Sequence, residues 1–199
     1  MLKPARLFLT KANIGTLANA SVTMVSRPSN IDFLSARKKP GYKFLISSCL
    51  IGLNCKYNGK NNLNPKIRYF FALRRDYITA CPEVMGGLPT PRPPAEIEGG
   101  DGEAVLRKKA KVINAAGRDV TEECVRGAAA VARLAKRYGI RQAIFKSNSP
   151  CCGVGEIYDG KFTGSLKAGN GILTAALIRC GIKVCSDKEF IIEKKVRRW

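Results

Sequence analysis

Apolar positions fall into two patterns along this chain. Short continuous runs cover Lys43 to Ser48, Tyr77 to Ala80, Arg141 to Lys146 and Ile182 to Cys185, and each reads as a strand buried on both faces. Between them lie segments of helical period. Asn64 caps and Pro65 opens a helix to about Arg74, with Ile67, Phe70 and Phe71 on its apolar face. A longer helix starts at Asp119 or Thr121 and runs to Tyr138. Val125, Ala128, Val131, Ala132, Leu134, Ala135 and Tyr138 form its stripe, and Gly139 closes it. A third helix follows Gly169-Asn170-Gly171, reaches about Arg179 and stops at Gly181. The turn Tyr158-Asp159-Gly160-Lys161 predicts a small hairpin between Glu156 and Thr163. Strands alternating with helices predict an α/β fold: a single Rossmann-like domain whose mainly parallel sheet is flanked by helices, plus the hairpin.

The prolines of Pro82 to Pro94 are too dense for a helix or a central strand and predict a shaped loop, which Glu96, Glu98 and Asp101 extend with carboxylates. Residues 1–41 differ from the rest. Lys3, Arg6, Lys11, Arg27, Arg37, Lys38 and Lys39 face the single acid Asp32, the composition of a transit peptide, a disordered tail or an accessory extension. The predicted division is therefore a basic extension over 1–41 and one domain with a short charged tail over 42–199.

Composition narrows the chemistry. A chain of 199 residues can bury a core without staples, and its eight cysteines, scattered through strand and helix patterns, read as reduced thiols of a cytoplasmic protein. With no histidine, Ser-His-Asp triads, Cys-His dyads and His-ligated zinc are excluded. A formal charge of +20 suits either a field that attracts phosphates, nucleic acid or small anions, or simply a solvated basic surface. No apolar run approaches the roughly 18 residues that a membrane span requires.

Three strand patterns end in cysteine: Cys49, Cys81 and the pair Cys151-Cys152. Ligands of open α/β sheets sit beyond the carboxyl ends of the strands, so these thiols can share one crevice. Cys124, Cys180 and Cys185 are better explained as core residues, and Cys55 and Cys151 remain ambiguous. Cys152 is favoured over Cys151 because Gly153 follows it. A closed structural zinc site wants four ligands, whereas three thiolates on a four-iron cluster leave one iron open. Spacing alone does not choose between a metal centre and structural cysteines. Glu83, two residues past Cys81, is a candidate acid or base, and Ser149 a candidate hydrogen-bond donor or turn residue. Lys56 and Lys146 are candidate anion holders or surface charges.

The stretches around Ser48-Cys49-Leu50, Lys56-Tyr57-Asn58-Gly59, Cys81-Pro82-Glu83 through Pro94-Ala95-Glu96, Gly100-Asp101-Gly102 and Lys146 through Gly153 resemble the thiouracil desulfidase family. The resemblance spans about Lys43 to Ser186. It implies a 4Fe-4S cluster held by Cys49, Cys81 and Cys152 with one open iron, and catalytic roles for Glu83 and Ser149. Lys56, Tyr57, Asn58 and Lys146 are the implied substrate-binding residues. The implied reaction removes sulfur from a thiolated pyrimidine such as 2-thiouracil without net redox change, leaving a carbonyl on the ring and hydrosulfide on the cluster. Asn58 stands where the family commonly has aspartate, and Cys151 where it commonly has serine. Two rival readings are a basic RNA-binding module with structural cysteines and a non-catalytic Fe-S carrier or sensor. Aromatic residues are not interleaved with the basic ones as nucleic-acid stacking requires, and no Gly-x-x-x-x-Gly-Lys-Ser/Thr loop supports ATP-driven sulfur insertion.

Overall fold

The computed structural model describes residues 41–190; the predicted extension, apart from Gly41, and the tail from 191 lie outside the described residues. Four strands, β1 (Phe44–Ser47), β2 (Tyr77–Ala80), β5 (Gln142–Phe145) and β8 (Lys183–Ser186), form one sheet in the order β2-β1-β5-β8. Every neighbouring pair in it is parallel. Alternation across the pleat explains the continuous apolar runs. Leu45, Ala143 and Phe145 enter one core, while Ile46 and Ile144 enter another on the opposite face.

The first core is covered by α4 (Thr121–Tyr138) and α5 (Ile172–Arg179), through residues such as Val131, Ala135, Leu173 and Leu177. Gly139 ends α4 at φ 66, as the sequence predicts. The second core contains Ile67 and Phe71 of α1 (Pro65–Phe71), together with Leu50 and Phe190. Asn64 Oδ1 caps α1, accepting from the backbone N–H of Lys66 at 3.1 Å and of Ile67 at 3.2 Å. The helix stops before Arg74, whose guanidinium instead donates to Asp76 at 2.9 Å beside the start of β2.

Several local expectations are corrected. Pro82–Met85 forms a one-turn helix, α2, because proline at the first helical position forfeits only an N–H that would be unpaired anyway. Ala95–Glu98 is a strand, β3, paired antiparallel with β4 (Lys111–Asn114), and Asp101 caps a further short helix, α3 (Gly102–Leu106). The hairpin pairs β6 (Glu156–Tyr158) with β7 (Leu166–Ala168), so its connection spans 159–165 and is longer than the predicted turn. The Gly160 and Phe162 N–H groups bond to Glu96 instead of to a facing strand. Cys180 is exposed at the end of α5 and is not a core residue, whereas Cys124 is buried. Among the described residues, no helix is long and apolar enough to cross a membrane.

Candidate functional site

In the sheet order, chain connections leave β1 toward β2 on one side and reach β5 and β8 on the other. The gap between β1 and β5 at their carboxyl ends is thus a topological switch point, where open α/β sheets hold ligands. A cavity of about 470 Å³ opens there. Cys49, Cys81 and Cys152 all line it, delivered by the segments that leave β1, β2 and β5. Cys49 lies in a 3-10 helix, Ser48–Ile51, and its carbonyl accepts from the Asn62 N–H at 3.0 Å. Cys81 is the N-cap position of α2. The Cys151-Cys152 turn is clamped by α5: the Ile172 and Leu173 N–H groups donate to the carbonyls of Pro150 (3.0 Å) and Cys151 (2.9 Å), and the Thr174 hydroxyl to that of Cys152 (3.0 Å).

The adjacent cysteines point into different surroundings. Cys152 lines the cavity, while Cys151 is fully buried and hydrogen-bonded to Cys124 in the core under α4. Cys55 is drawn into the cavity wall beside Cys49 and Cys81. Its hydrogen bonds to both hold the Cys49 and Cys81 thiols below their ordinary range against the opposing effect of burial, and raise Cys55's own. Burial pushes the Cys152 thiol up. Two thiols are thereby biased toward the thiolate form that binds metals.

Glu83 is placed on α2, and α2 is seated on α4 through glycine. A Cβ on Gly127 would come within 1.8 Å of the Pro82 carbonyl oxygen, so only glycine permits this approach. Arg126 of α4 adds a hydrogen bond from Nε to the Gly86 carbonyl at 3.1 Å. From that base Glu83 Oε2 pairs with the Arg92 guanidinium, with Nε at 2.9 Å and Nη2 in closer contact. Oε1 faces the Ser149 hydroxyl, which donates across 3.4 Å. Ser149 Oγ also accepts from the backbone N–H groups of Cys151 and Cys152, each at 3.2 Å. The predicted acid-base residue and the predicted serine are therefore in contact beside the thiols.

Lys146 lines the cavity, with Nζ 3.3 Å from the Ser147 carbonyl and 3.8 Å from Asp187 Oδ2. Lys56 and Tyr57 also line it, and Lys56 Nζ sits 5.2 Å from the centre of the Tyr57 ring. The Asn58 side chain is exposed outside the cavity lining and accepts from the Lys60 N–H at 3.2 Å within its turn.

Arg92 was not predicted. Its side chain is 5 % exposed and, besides Glu83, it donates to the carbonyls of Pro89 and Cys55 and to the Thr90 hydroxyl, each at 3.1 Å. Burial alone would lower its pKa, but the Glu83 carboxylate raises it, so the guanidinium remains charged. Its signal in the sequence is that it is the only cation between Pro82 and Pro94. Glu96, also unassigned from the sequence, lines the same cavity.

The chemistry of the donor set, three cysteine thiols at one cavity, fits a thiolate-bound group such as an iron-sulfur cluster. Among the described residues no group of three or more Cys, Asp or Glu side chains is already gathered around one point as for a bound ion, and Cys49, Cys81 and Cys152 share the cavity wall.

Fold and site together define an α/β protein with a thiol-lined crevice at the carboxyl ends of its parallel sheet. The chain belongs to the 2-thiouracil desulfurase family, whose model matches residues 44–189. It is 46 % identical over 145 residues to the uncharacterized protein YbbK of Bacillus subtilis (strain 168), covering 73 % of this chain and 95 % of that protein. The solved structure of TudS, a [4Fe-4S]-dependent thiouracil desulfidase, matches with a TM-score of 0.67 and 38 % identity, over 78 % of this chain and 99 % of that one.

Proposed function

We propose that this protein is a 4Fe-4S-dependent desulfidase that converts the thiocarbonyl of a thiolated pyrimidine such as 2-thiouracil to a carbonyl. The observation that carries this reading is the meeting of Cys49, Cys81 and Cys152 with the Glu83–Ser149 pair in one cavity. Family membership and the likeness to TudS support it. Cys49, Cys81 and Cys152 would hold the cluster, which supplies an open iron as Lewis acid toward the thiocarbonyl sulfur.

The remaining work falls to the chain. Glu83 Oε1 accepts a proton from the attacking water, whose oxygen forms the new bond to the ring carbon as the carbon–sulfur bond breaks. The same proton is returned when sulfur departs. The overall change is water plus thiocarbonyl to carbonyl plus hydrogen sulfide, with no change in the oxidation state of carbon or sulfur. Arg92 restricts Glu83 to one rotamer, and Ser149 steers Oε1 toward the cavity. Lys146 and Lys56 contribute positive charge for the anionic leaving sulfur. The desulfidase unit would occupy 42–199, with 1–41 as a basic accessory extension. Its reduced thiols suit the cytoplasm.

Anaerobic reconstitution tests the reading. About four irons and four sulfides per chain, with uracil formed from 2-thiouracil, are expected. Glu83→Gln should keep the iron and lower turnover by roughly 10²–10⁴-fold. Full activity of that variant removes Glu83 from the mechanism, and a folded protein that takes up no iron rejects the cofactor.

A further inference from the structure

Glu96 has no task in the reaction above, yet it is a carboxylate at the wall of the same cavity and is only 8 % exposed. Its Oε2 accepts two backbone hydrogen bonds from the loop between β6 and β7, from Gly160 at 3.0 Å and Phe162 at 3.1 Å. Neither uses Oε1, and no described residue donates to that atom. Among the described residues, no side-chain oxygen or nitrogen shut off from solvent lacks a partner. Oε1 therefore keeps access to solvent, and Glu96 is part of the cavity wall. A largely buried carboxylate with one free oxygen is costly unless a donor meets it.

The other oxygen explains what stands next to that opening. Phe162 has φ 57, a left-handed backbone uncommon for a residue with a side chain, and the bond from its N–H to Glu96 helps to hold it there. Lys167 Nζ stitches the hairpin to β3 by donating to the carbonyls of Ile97 and Asp159, both at 2.9 Å. As a result Phe162 and Tyr158 line the cavity alongside Glu96. A hydrogen-bond acceptor next to aromatic faces is complementary to a planar ring with an N–H on its edge.

We propose that Glu96 is a substrate-recognition residue: Oε1 accepts a ring N–H of a thiolactam heterocycle, while Oε2 holds the Phe162 loop against the cavity. This deepens the desulfidase reading and rests on its substrate class. A thiolactam carries an N–H directly beside its thiocarbonyl carbon, so one carboxylate contact both orients the ring and reads the tautomer. Heterocycles lacking that N–H leave the carboxylate unpaired and are discriminated against.

Glu96→Gln separates the two oxygens. Only the amide oxygen can accept from Gly160 and Phe162, so the loop stays anchored and the NH₂ group faces the cavity, replacing an acceptor by a donor. Binding of 2-thiouracil and of its 1,3-dimethyl derivative is measured calorimetrically on the anaerobically reconstituted protein. Wild type is expected to prefer 2-thiouracil by about tenfold or more. In Glu96→Gln the preference should fall to about twofold or less with the melting temperature little changed. Glu96→Asp, which keeps the charge but withdraws it from the cavity, should also lose most of the preference and serves if the glutamine variant fails to fold. A preference that persists in the variants, or none in wild type, overturns the proposal. If wild type shows the Glu96-dependent preference but forms no uracil, the recognition role stands and the desulfidase reading falls.

Discussion

Two groups of cysteine, one in the crevice and one under α4, share almost no chemistry. In the crevice, Cys55 hydrogen-bonds to Cys49 and Cys81, and those two thiols are held below their ordinary range at the cavity wall. Under α4, the free thiols of Cys124 and Cys151 are hydrogen-bonded within the apolar core, and that contact and burial push Cys151 well above the ordinary range. Cys151 and Cys152 are neighbours in the chain, yet one belongs to each group. The side of the strand end that a side chain faces, not its residue type, decides whether it is a candidate ligand or packing.

The sharpest way to break this contrast is to substitute both groups and count iron. Cys49→Ser, Cys81→Ser or Cys152→Ser should each abolish stable cluster loading and uracil formation. Cys151→Ala and Cys124→Ala should retain iron while losing roughly 1–2 kcal/mol in denaturant melts, the cost of a small core cavity. Loss of iron in Cys151→Ala with the fold intact would erase the distinction between the groups.

A smaller effect is expected where α4 meets the crevice. Gly127→Ala places a Cβ 1.8 Å from the Pro82 oxygen, and α2 must move. Destabilisation of about 1–3 kcal/mol is expected, partly offset by the better helix propensity of alanine. Because Glu83 and Cys81 ride on or next to α2, turnover should fall more than stability does. Unchanged kinetics would show that the seating of α2 does not set the geometry of Glu83.

The smallest effect lies away from both groups. The Arg74 guanidinium holds the Asp76 carboxyl below its usual range, so the native state favours the charged form. That contribution is present above the ordinary carboxylate range and is lost as pH falls through the lowered native value. Asp76→Asn should cost less than about 1 kcal/mol near neutrality, because the pair is partly exposed. The gap to wild type should close on acidification, and a gap that stays constant with pH would remove the ion pair as its cause.

Much of the fold was legible because its signals are local. The four sheet strands, the capping Asn64, the span Thr121–Tyr138 and the stop at Gly139 each follow from apolar runs, side-chain caps or a required positive φ. The elements between Pro82 and Leu106 were not, since α2 and α3 are too short for a period to emerge and β3 exists only by pairing with β4.

By itself, the sequence determined the residue types available: thiols at three strand ends, a glutamate two residues past one of them, no histidine, and a motif string specific enough to imply a family. Tertiary structure alone decided that Cys55 joins the cavity wall, that Arg92 grips Glu83, and that a Glu96 oxygen holds a loop some 65 residues away. Those outcomes depend on segments distant in the chain meeting across a sheet edge, where packing and the pairing of buried polar groups select one direction for each side chain.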